Sequence, residues 1–166
     1  MLIYQIKWGN YMEKYVLSQM DRKNFSKATN EIYLLTDYNH EQYQEYLKWY
    51  YNKNIPRVLN GTGEIIFYLE GFTVSGLAIL KKDVDEKKIC TLMINEEYRK
   101  KGYSKEILES AFEYLETDKP LITIPTKRIE EFKSIITAYD WEESKRTDMY
   151  LSEEIIFNEP KKLIRK

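Results

Sequence analysis

A short basic segment in the second half of the chain has the composition of an anion-binding site. Three cations, Arg99, Lys100 and Lys101, stand directly before Gly102, and an amphipathic stretch follows them. The first turn of a helix has unpaired N–H groups and a partial positive charge, so nearby cations strengthen its attraction for an anion. Gly102 lets the backbone approach a ligand without an intervening Cβ atom. The segment therefore predicts a phosphate-binding turn at a helix N-terminus, with a solvated surface turn as the alternative.

Hydrophobic periodicity predicts the elements that must hold this turn in place. Apolar or alternating runs predict strands at 64–69, 72–80, 89–94, 121–124 and 148–157. A tight turn at Glu70-Gly71 joins the first two. A helix behind the basic turn is indicated by an apolar stripe formed by Ile107, Leu108, Ala111, Phe112 and Leu115. A second stripe predicts a helix that opens at Pro125 and Thr126 and contains Ile129, Phe132, Ile135, Ile136 and Tyr139.

The N-terminal third has less regular patterns. An apolar, β-branched run predicts a first strand at 2–7, whereas 11–27 has a poor period and leaves a helix open. Asn39 and Gln42 fit a capping box that begins a helix. Its apolar face would carry Tyr43, Tyr46, Leu47 and Tyr50. We expect this helix to fray before Pro56, because the residue before a proline is disfavoured in the α region.

The order of these elements predicts the fold class. A strand and a helical region precede three antiparallel strands, and a helix, a strand, a helix and a strand follow. The segment 89–124 forms a βαβ unit, whose two strands must be parallel. The expectation is an α/β (α+β) fold with a mixed, mostly antiparallel sheet and helices on both faces. It would form one domain over 1–158, followed by a basic tail at 159–166.

Composition limits the classes of function. The chain has 166 residues, and its 26 Lys and Arg nearly balance its 27 Asp and Glu, so bulk charge does not favour a nucleic-acid binder. One cysteine excludes an intrachain disulfide and a Cys-rich zinc site, and one histidine excludes a two-histidine metal helix. The longest uncharged stretch has ten residues, too few to span a bilayer, and no signal peptide is recognised. We expect a cytoplasmic protein without a metal or a membrane anchor.

The residues from Leu92 to Ser104 resemble the acetyl-CoA loop of the GNAT superfamily of N-acetyltransferases. They read Leu92-Met-Ile-Asn-Glu-Glu-Tyr-Arg-Lys-Lys-Gly-Tyr-Ser104. The family pattern is an apolar-x-Val strand, then Pro-Glu-Tyr, then Arg/Gln-x-x-Gly-x-Gly/Ala. The order of elements over 64–157 is also similar to that of the family, whereas the N-terminal third is similar only in its position in the fold.

The resemblance implies acetyl-CoA as the cosubstrate and a role for each part of the loop. The backbone amides of 100–104 would hold the pyrophosphate. The edge of the strand at 92–94 would hydrogen-bond the pantetheine arm, which lies in a gap between that strand and the parallel strand at 121–124. The cofactor-binding residues implied in this way are Leu92, Met93, Ile94, Arg99, Lys100, Lys101, Gly102, Tyr103 and Ser104.

Two positions depart from the family pattern. Ser104 stands where Gly or Ala is usual. In the family, a tyrosine in the later helix protonates the departing CoA thiolate. If Asp140-Trp141 stands for the family's Gly-Phe, Ile136 occupies the position of that tyrosine. Tyr139 lies three residues further on. Amine acetylation also needs a proton acceptor. Carboxylates near the sheet ends or the loop are Glu64, Glu70, Glu96 and Glu97. Glu70 and Tyr139 are the catalytic candidates.

Other residues favour structural roles. Cys90 lies on an apolar strand and is expected to be a small buried residue rather than a nucleophile. Tyr43, Tyr46 and Tyr50 are expected to pack in the core or its rim, with a pocket for a cationic amine as the alternative. Without its last six residues, four of them basic, the chain is mildly acidic, which also favours a cationic acceptor.

These patterns lead to three hypotheses. The first is an acetyl-CoA-dependent N-acetyltransferase that acts by direct attack of a small-molecule or peptide amine in a ternary complex. The second is a GNAT-like domain that binds CoA without efficient turnover, which the isoleucine at 136 motivates. The third is an interaction protein whose basic tail at 161–166 binds nucleic acid, which the overall charge balance disfavours. Whether the chain forms a homodimer is left open.

Overall fold

The computed structural model describes residues 12–41, 43–99, 102–149 and 152–161. The described residues form seven strands: β1 Glu13–Val16, β2 Gly63–Glu70, β3 Thr73–Lys82, β4 Lys87–Ile94, β5 Ile122–Pro125, β6 Glu143–Met149 and β7 Ser152–Phe157. They also form five α-helices: α1 Arg22–Thr36, α2 Tyr46–Trp49, α3 Ile55–Asn60, α4 Tyr103–Leu115 and α5 Ile129–Ala138. A π-helical turn, Tyr50–Asn54, joins α2 to α3. None of these helices has both the length and the apolar character needed to cross a bilayer.

The strands form two antiparallel sheets that meet at one point. Strands β1 to β4 pair in sequence order, and β7 lies between β5 and β6 in the second sheet. One parallel bridge, between Lys88 of β4 and Leu121 just before β5, joins the two sheets in the described part of the chain. It consists of Ile89 N donating to Leu121 O at 3.0 Å and Leu121 N donating to Lys87 O at 2.9 Å. The mixed, mostly antiparallel fold is confirmed, and its parallel contact is confined to this bridge.

Side-chain alternation along the central strands separates two hydrophobic cores. On β2, Ile66 and Tyr68 face the core that holds α4 and α5, whereas Ile65 and Phe67 face the core that holds the N-terminal helices. Successive side chains of a strand point to opposite faces, so one apolar run supplies both cores. Each fully buried aliphatic side chain contributes about 1.5–3 kcal/mol. Helices therefore pack on both faces of the sheet, as predicted.

A glycine on β3 allows α4 to pack closely on the sheet. A Cβ atom at Gly76 would lie 2.3 Å from Ile107 Cδ1 and 2.9 Å from Met93 O. Both distances are shorter than a Cβ atom tolerates, and the carbonyl belongs to the neighbouring strand backbone. Gly76 thus sets the depth at which α4 sits against β3 and β4.

The N-terminal third differs from its prediction in several places. The predicted strand at 2–7 lies outside the described residues. The ambiguous stretch at 11–27 contains β1, a 3₁₀ turn and the start of α1, which begins where Asp21 accepts a hydrogen bond from Asn24 N at 3.0 Å. The helix predicted behind Asn39 begins later, at Tyr46, because Asn39 lies in a 3₁₀ segment, Asp37–Glu41. Gln42, the second member of the predicted capping box, lies outside the described residues.

The expected helix end before Pro56 is wrong. The helical backbone continues through the π turn into α3, which has Pro56 in its first turn. Pro56 lies in the first turn of α3, and the preceding π turn, whose hydrogen bonds span five residues rather than four, departs from regular α geometry just before the proline. On the predicted apolar face, Tyr46 and Tyr50 are buried, but Leu47 is 53% exposed.

The predicted last strand at 148–157 is two strands, β6 and β7. Residues 143–149 were not predicted as a strand because they read Glu-Ser-Lys-Arg-Thr-Asp-Met, without apolar alternation. As the outer strand of the second sheet, β6 pairs only with β7 among the described strands and is largely exposed. A strand of this kind needs no apolar face, so its pattern does not identify it.

Candidate functional site

The predicted phosphate-binding turn is an uncapped helix N-terminus. Gly102 has a left-handed conformation with φ of +80° and directly precedes α4, and no described side chain caps the helix. The N–H groups of the first turn have no acceptor within the helix. A Cβ atom built at Gly102 meets no described atom within 4 Å, so the space before the helix is open. Lys100 and Lys101 lie outside the described residues.

Interactions on both sides of Gly102 fix the start of α4. After β4, Asn95 Oδ1 accepts a hydrogen bond from Glu97 N at 3.3 Å and begins a 3₁₀ turn, Glu96–Tyr98. Arg99 Nε donates to Ile94 O at 3.2 Å, which ties the basic turn to the end of β4. In the first turn of α4, Tyr103 donates its hydroxyl proton to Glu70 Oε2 at 3.1 Å. Glu70 therefore holds the helix start against the end of β2.

The outer edge of β4 is open beyond the bridge to β5. Asn95 N donates to Ser75 O, on the β3 side. Because backbone groups alternate along a strand, the N–H groups of Ile94 and Leu92 point the other way, into the gap between β4 and β5. Within the described ranges, no acceptor pairs with these strand donors, and they lie beside an uncapped helix N-terminus.

A cleft of about 820 Å³, here called the basic-turn cleft, lies along these groups. It is bounded by the end of β4, the basic turn and the start of α4, with α5 on the opposite side. The predicted cofactor-binding residues that the structure describes all line it: Leu92, Met93, Ile94, Arg99, Gly102, Tyr103 and Ser104.

A second cavity of about 440 Å³, here called the aromatic cavity, is lined by residues of both β4 and β5. One wall carries Tyr38, Tyr43, Tyr46 and Trp49, and the floor carries Cys90 of β4, Thr123 of β5 and Glu154 of β7. The two cavities share the lining residues Tyr38, Leu92, Arg128 and Phe132. They therefore meet where β4 and β5 separate.

Glu154 is a buried carboxylate in the wall of the aromatic cavity. It is 4% exposed, and no described residue donates a hydrogen bond to its carboxylate. Burial raises the pKa of Glu154, and the Lys88 charge opposes this shift. Its strand partner is Pro125, at the end of β5. Glu154 was not predicted from the sequence. Its place two residues before Ile156, on the same face of an apolar strand, is the pattern that indicates its burial.

The two sequence-based catalytic candidates lie elsewhere. Glu70 is engaged by Tyr103, and Tyr139 packs edge-on against Phe112 at 4.8 Å between ring centroids. Neither lines either cavity. Ile136, which the sequence resemblance aligns with the family's usual tyrosine, packs against the core.

The other carboxylates considered from the sequence have different surroundings. Glu64 is buried, but it accepts hydrogen bonds from Ser18 N at 3.1 Å and from the Ser18 hydroxyl, so it is a structural anchor. Glu96 lines the basic-turn cleft, and Glu97 is exposed. Among the described residues, Glu154 is thus the one buried carboxylate that faces either cavity.

Tyr38 lies at the junction of the two cavities. The pKa of its hydroxyl is raised, chiefly by burial, and the adjacent Arg128 charge and a hydrogen bond from Arg128 oppose this rise. Arg128 is itself held by Glu131, with Nη2 3.0 Å from a carboxylate oxygen. The junction therefore contains a phenol beside a fixed cation, which favours proton donation to a developing anion.

Comparisons with known proteins identify the family of this fold and cleft. The model of the acetyltransferase (GNAT) family matches residues 23–124, more than half of the chain. The chain therefore belongs to the GNAT acetyltransferase family, as the resemblance of its loop indicated. A search of curated proteins found no match.

Solved structures share the fold at low sequence identity. A Bacillus subtilis acetyltransferase in complex with CoA is 14% identical, with a TM-score of 0.56 over 89% of this chain and 97% of that one. The PaiA N-acetyltransferase of Thermoplasma acidophilum, in complex with coenzyme A, is 14% identical, with a TM-score of 0.58 over 90% and 100%. The ribosomal-protein-S18-alanine N-acetyltransferase of Escherichia coli is 11% identical, with a TM-score of 0.55 over 87% and 92%.

Proposed function

We propose that this protein transfers the acetyl group of acetyl-CoA to an amine nitrogen by direct attack in a ternary complex. The observation that carries the proposal is the meeting of the two cavities at Leu92. One cavity offers donors for an anionic carrier, and the other contains a buried carboxylate. Reactants held in cavities that meet need no covalent enzyme intermediate, because each can reach the other directly.

The basic-turn cleft would hold acetyl-CoA, which supplies an acetyl group activated as a thioester. The amides at the start of α4 would bind its diphosphate, with Arg99, Lys100 and Lys101 adding positive charge. The free N–H groups of Leu92 and Ile94 would bind the arm that leads to the thioester. CoA is bound in two of the solved structures that share this fold, which supports the assignment.

The aromatic cavity would hold the acceptor. An amine attacks only in its neutral form, so a group in this cavity must accept its proton. We assign this role to Glu154, which is buried and whose pKa is raised toward neutrality. A positioned base contributes about 10²–10⁴-fold to the rate. Glu154 replaces Glu70 in this role because Glu70 does not line the cavity.

The junction would supply the remaining groups. A free N–H of β4 would stabilise the negative charge that develops on the thioester oxygen, and one such donor is worth about 2.7–4 kcal/mol. The Tyr38 hydroxyl would protonate the departing thiolate, in place of the family tyrosine that Ile136 replaces. Arg128 would hold the hydroxyl in place and oppose the rise in its pKa that burial causes.

Two measurements on the purified full-length protein test this function. Calorimetric titration with CoA should show binding, and a thiol-release assay with acetyl-CoA should show turnover that depends on an added amine. CoA binding without turnover on any amine of a broad panel would instead favour a CoA-binding domain without efficient catalysis. Absence of CoA binding would contradict both possibilities.

A further inference from the structure

Positive charge is concentrated in the aromatic cavity, although the chain as a whole is nearly neutral. Its lining contains the cations Lys53, Arg57, Lys81, Lys88, Lys127 and Arg128. It contains the carboxylates Glu41, Glu86 and Glu154. Arg128 is paired with Glu131, and Lys81 also with Asp83, so the excess of cations rests on the other four. A bound amine without further charge, or with a second positive charge, would therefore enter a cavity in which unpaired cations are in excess among the described residues.

Two of these cations are half-buried and have no ion pair in the described part of the chain. Lys81 is neutralised by Asp83 at 3.2 Å and Glu86 at 2.6 Å. Arg57 and Lys88 have no carboxylate within 4 Å among the described residues, although both are half-buried and Lys88 lies close enough to Glu154 to oppose the rise in its pKa. A partly buried charge without a partner loses hydration without compensation, so a bound anion would be favoured beside it.

The charges of Arg57 and Lys88 act on the same part of the cavity. Arg57 lies on α3 and Lys88 on β4, and both lower the pKa of the Cys90 thiol, which burial raises. Cys90, half-buried rather than buried as expected from the sequence, lines the same cavity. The cavity thus has a cationic region beside Cys90 and a carboxylate, Glu154, on β7.

We infer that the acceptor is zwitterionic: it carries a carboxylate or a phosphate as well as its amine. The anion would bind near Arg57 and Lys88, while the amine would lie toward Glu154 and the junction. The aromatic wall would contact the apolar part of the molecule. This inference rests on the proposed function and reverses the expectation of a purely cationic acceptor, because the local charge of the cavity differs from that of the whole chain.

Matched acceptor pairs that differ by one anion test the inference. The pairs are tyramine and L-tyrosine, cadaverine and L-lysine, and ethanolamine and O-phosphoethanolamine, each measured by thiol release at saturating acetyl-CoA. The first two pairs test a carboxylate, and the third tests a phosphate. For at least one kind of anion, kcat/KM should be about tenfold or more higher for the anionic member, which corresponds to about 1.4 kcal/mol. Equal or higher kcat/KM for the anion-free member in every pair would overturn the inference while leaving the proposed function intact.

Removal of single charges identifies the site. Lys88→Gln and Arg57→Gln should each reduce the preference for the anionic member several-fold, with CoA affinity unchanged. Lys87→Gln is the matched control, because Lys87 adjoins Lys88 but lies 3.9 Å from Glu116 and outside the cavity. Its preference should remain that of the wild type. An unchanged preference in both cavity variants would contradict the assignment.

Calorimetric titration of the CoA-loaded protein with the same six compounds gives a readout that does not depend on turnover. If only the anionic members bind, and the Lys88→Gln variant binds them more weakly than the wild type, the result supports the anion site even if no amine is acetylated. Lack of turnover with all six compounds and across a broader panel would then count against the proposed function. Lack of binding by every anionic member would overturn the inference.

Discussion

Lys88 and Leu121 pair in parallel at the point where the two sheets begin to separate. Two backbone hydrogen bonds hold this bridge, and β4 and β5 form no further pairs among the described residues. The consequence is a gap with unpaired strand donors on one side. The basic-turn cleft and the aromatic cavity share Leu92 at this gap, and cavities that meet are what a direct transfer between two bound molecules requires.

The pH profile of Glu154→Gln tests the assigned base. With the acceptor at saturation, kcat should fall by about 10²-fold or more, because the amide cannot accept the amine proton. The wild type should lose activity as the pH falls through the raised pKa of Glu154, and the variant should lack this limb. Glu153→Gln is the control, since Glu153 is exposed and pairs with Arg146 at 3.8 Å. An equal loss in both variants, or an unchanged acid limb in Glu154→Gln, contradicts the role.

The same carboxylate should also affect stability. The pKa of Glu154 is raised in the folded state, so the fold binds its proton more tightly than the unfolded chain does. Its favourable contribution is complete below the unfolded-state pKa and is lost as the pH rises through the folded-state pKa. In urea unfolding, Glu154→Gln should therefore gain stability relative to the wild type over the pH range in which the folded-state Glu154 ionises, above its ordinary pKa. A constant difference across this range would show that Glu154 is not desolvated.

Two tyrosine variants distinguish between the candidate acids. Tyr38→Phe removes the hydroxyl at the cavity junction and should lower kcat by about tenfold to 10³-fold, with little change in CoA affinity. Tyr139→Phe removes a hydroxyl that lines neither cavity and should leave kcat near the wild-type value. Steady-state kinetics with one acceptor compares them. The reverse order of effects would return the role to the sequence-based candidate.

Gly76→Ala tests the close packing of α4 on the sheet. The added methyl group would collide with Ile107 Cδ1 and Met93 O, and overpacking of this kind costs about 1–3 kcal/mol. Urea unfolding should show this loss. In the double variant Gly76→Ala/Ile107→Val, the missing Cδ1 atom should return part of the stability, with a coupling between the two sites. Strict additivity would show that the collision with Ile107 does not set the cost.

The sequence predicted the helices and strands whose apolar side chains face a core. It did not predict the elements whose conformation depends on their neighbours in the fold. The stripe through Ile107 and Leu115 identified α4 because amphipathic periodicity is local. The outer strand β6 has no apolar face, so only its pairing with β7 defines it. The helix through Pro56 was missed because a local proline rule was overridden by the π turn.

The residues of the candidate site likewise include some that the sequence predicts and some that it does not. The basic turn was predicted because its anion-binding chemistry is contained in one short segment, from Arg99 to Ser104. Glu154 was not, because its burial depends on the register of β7 with β5 and on a gap that no single segment encodes. The charge of the whole chain favoured a cationic acceptor. The cations proposed to bind the acceptor's anion, Arg57 and Lys88, lie on α3 and β4, and only the fold brings them to one cavity.

The most direct test of the central claim is the CoA affinity of two glycine-to-aspartate variants. Gly102 and Gly61 have nearly the same left-handed backbone, with φ of +80° and +82°, and a Cβ atom meets no described atom within 4 Å at either position. Gly61→Asp therefore controls for backbone strain at a site remote from the cleft. Measured by calorimetry, the Kd for CoA should rise by more than about tenfold in Gly102→Asp and should stay at the wild-type value in Gly61→Asp. Equal affinity in the two variants would contradict diphosphate binding at the start of α4.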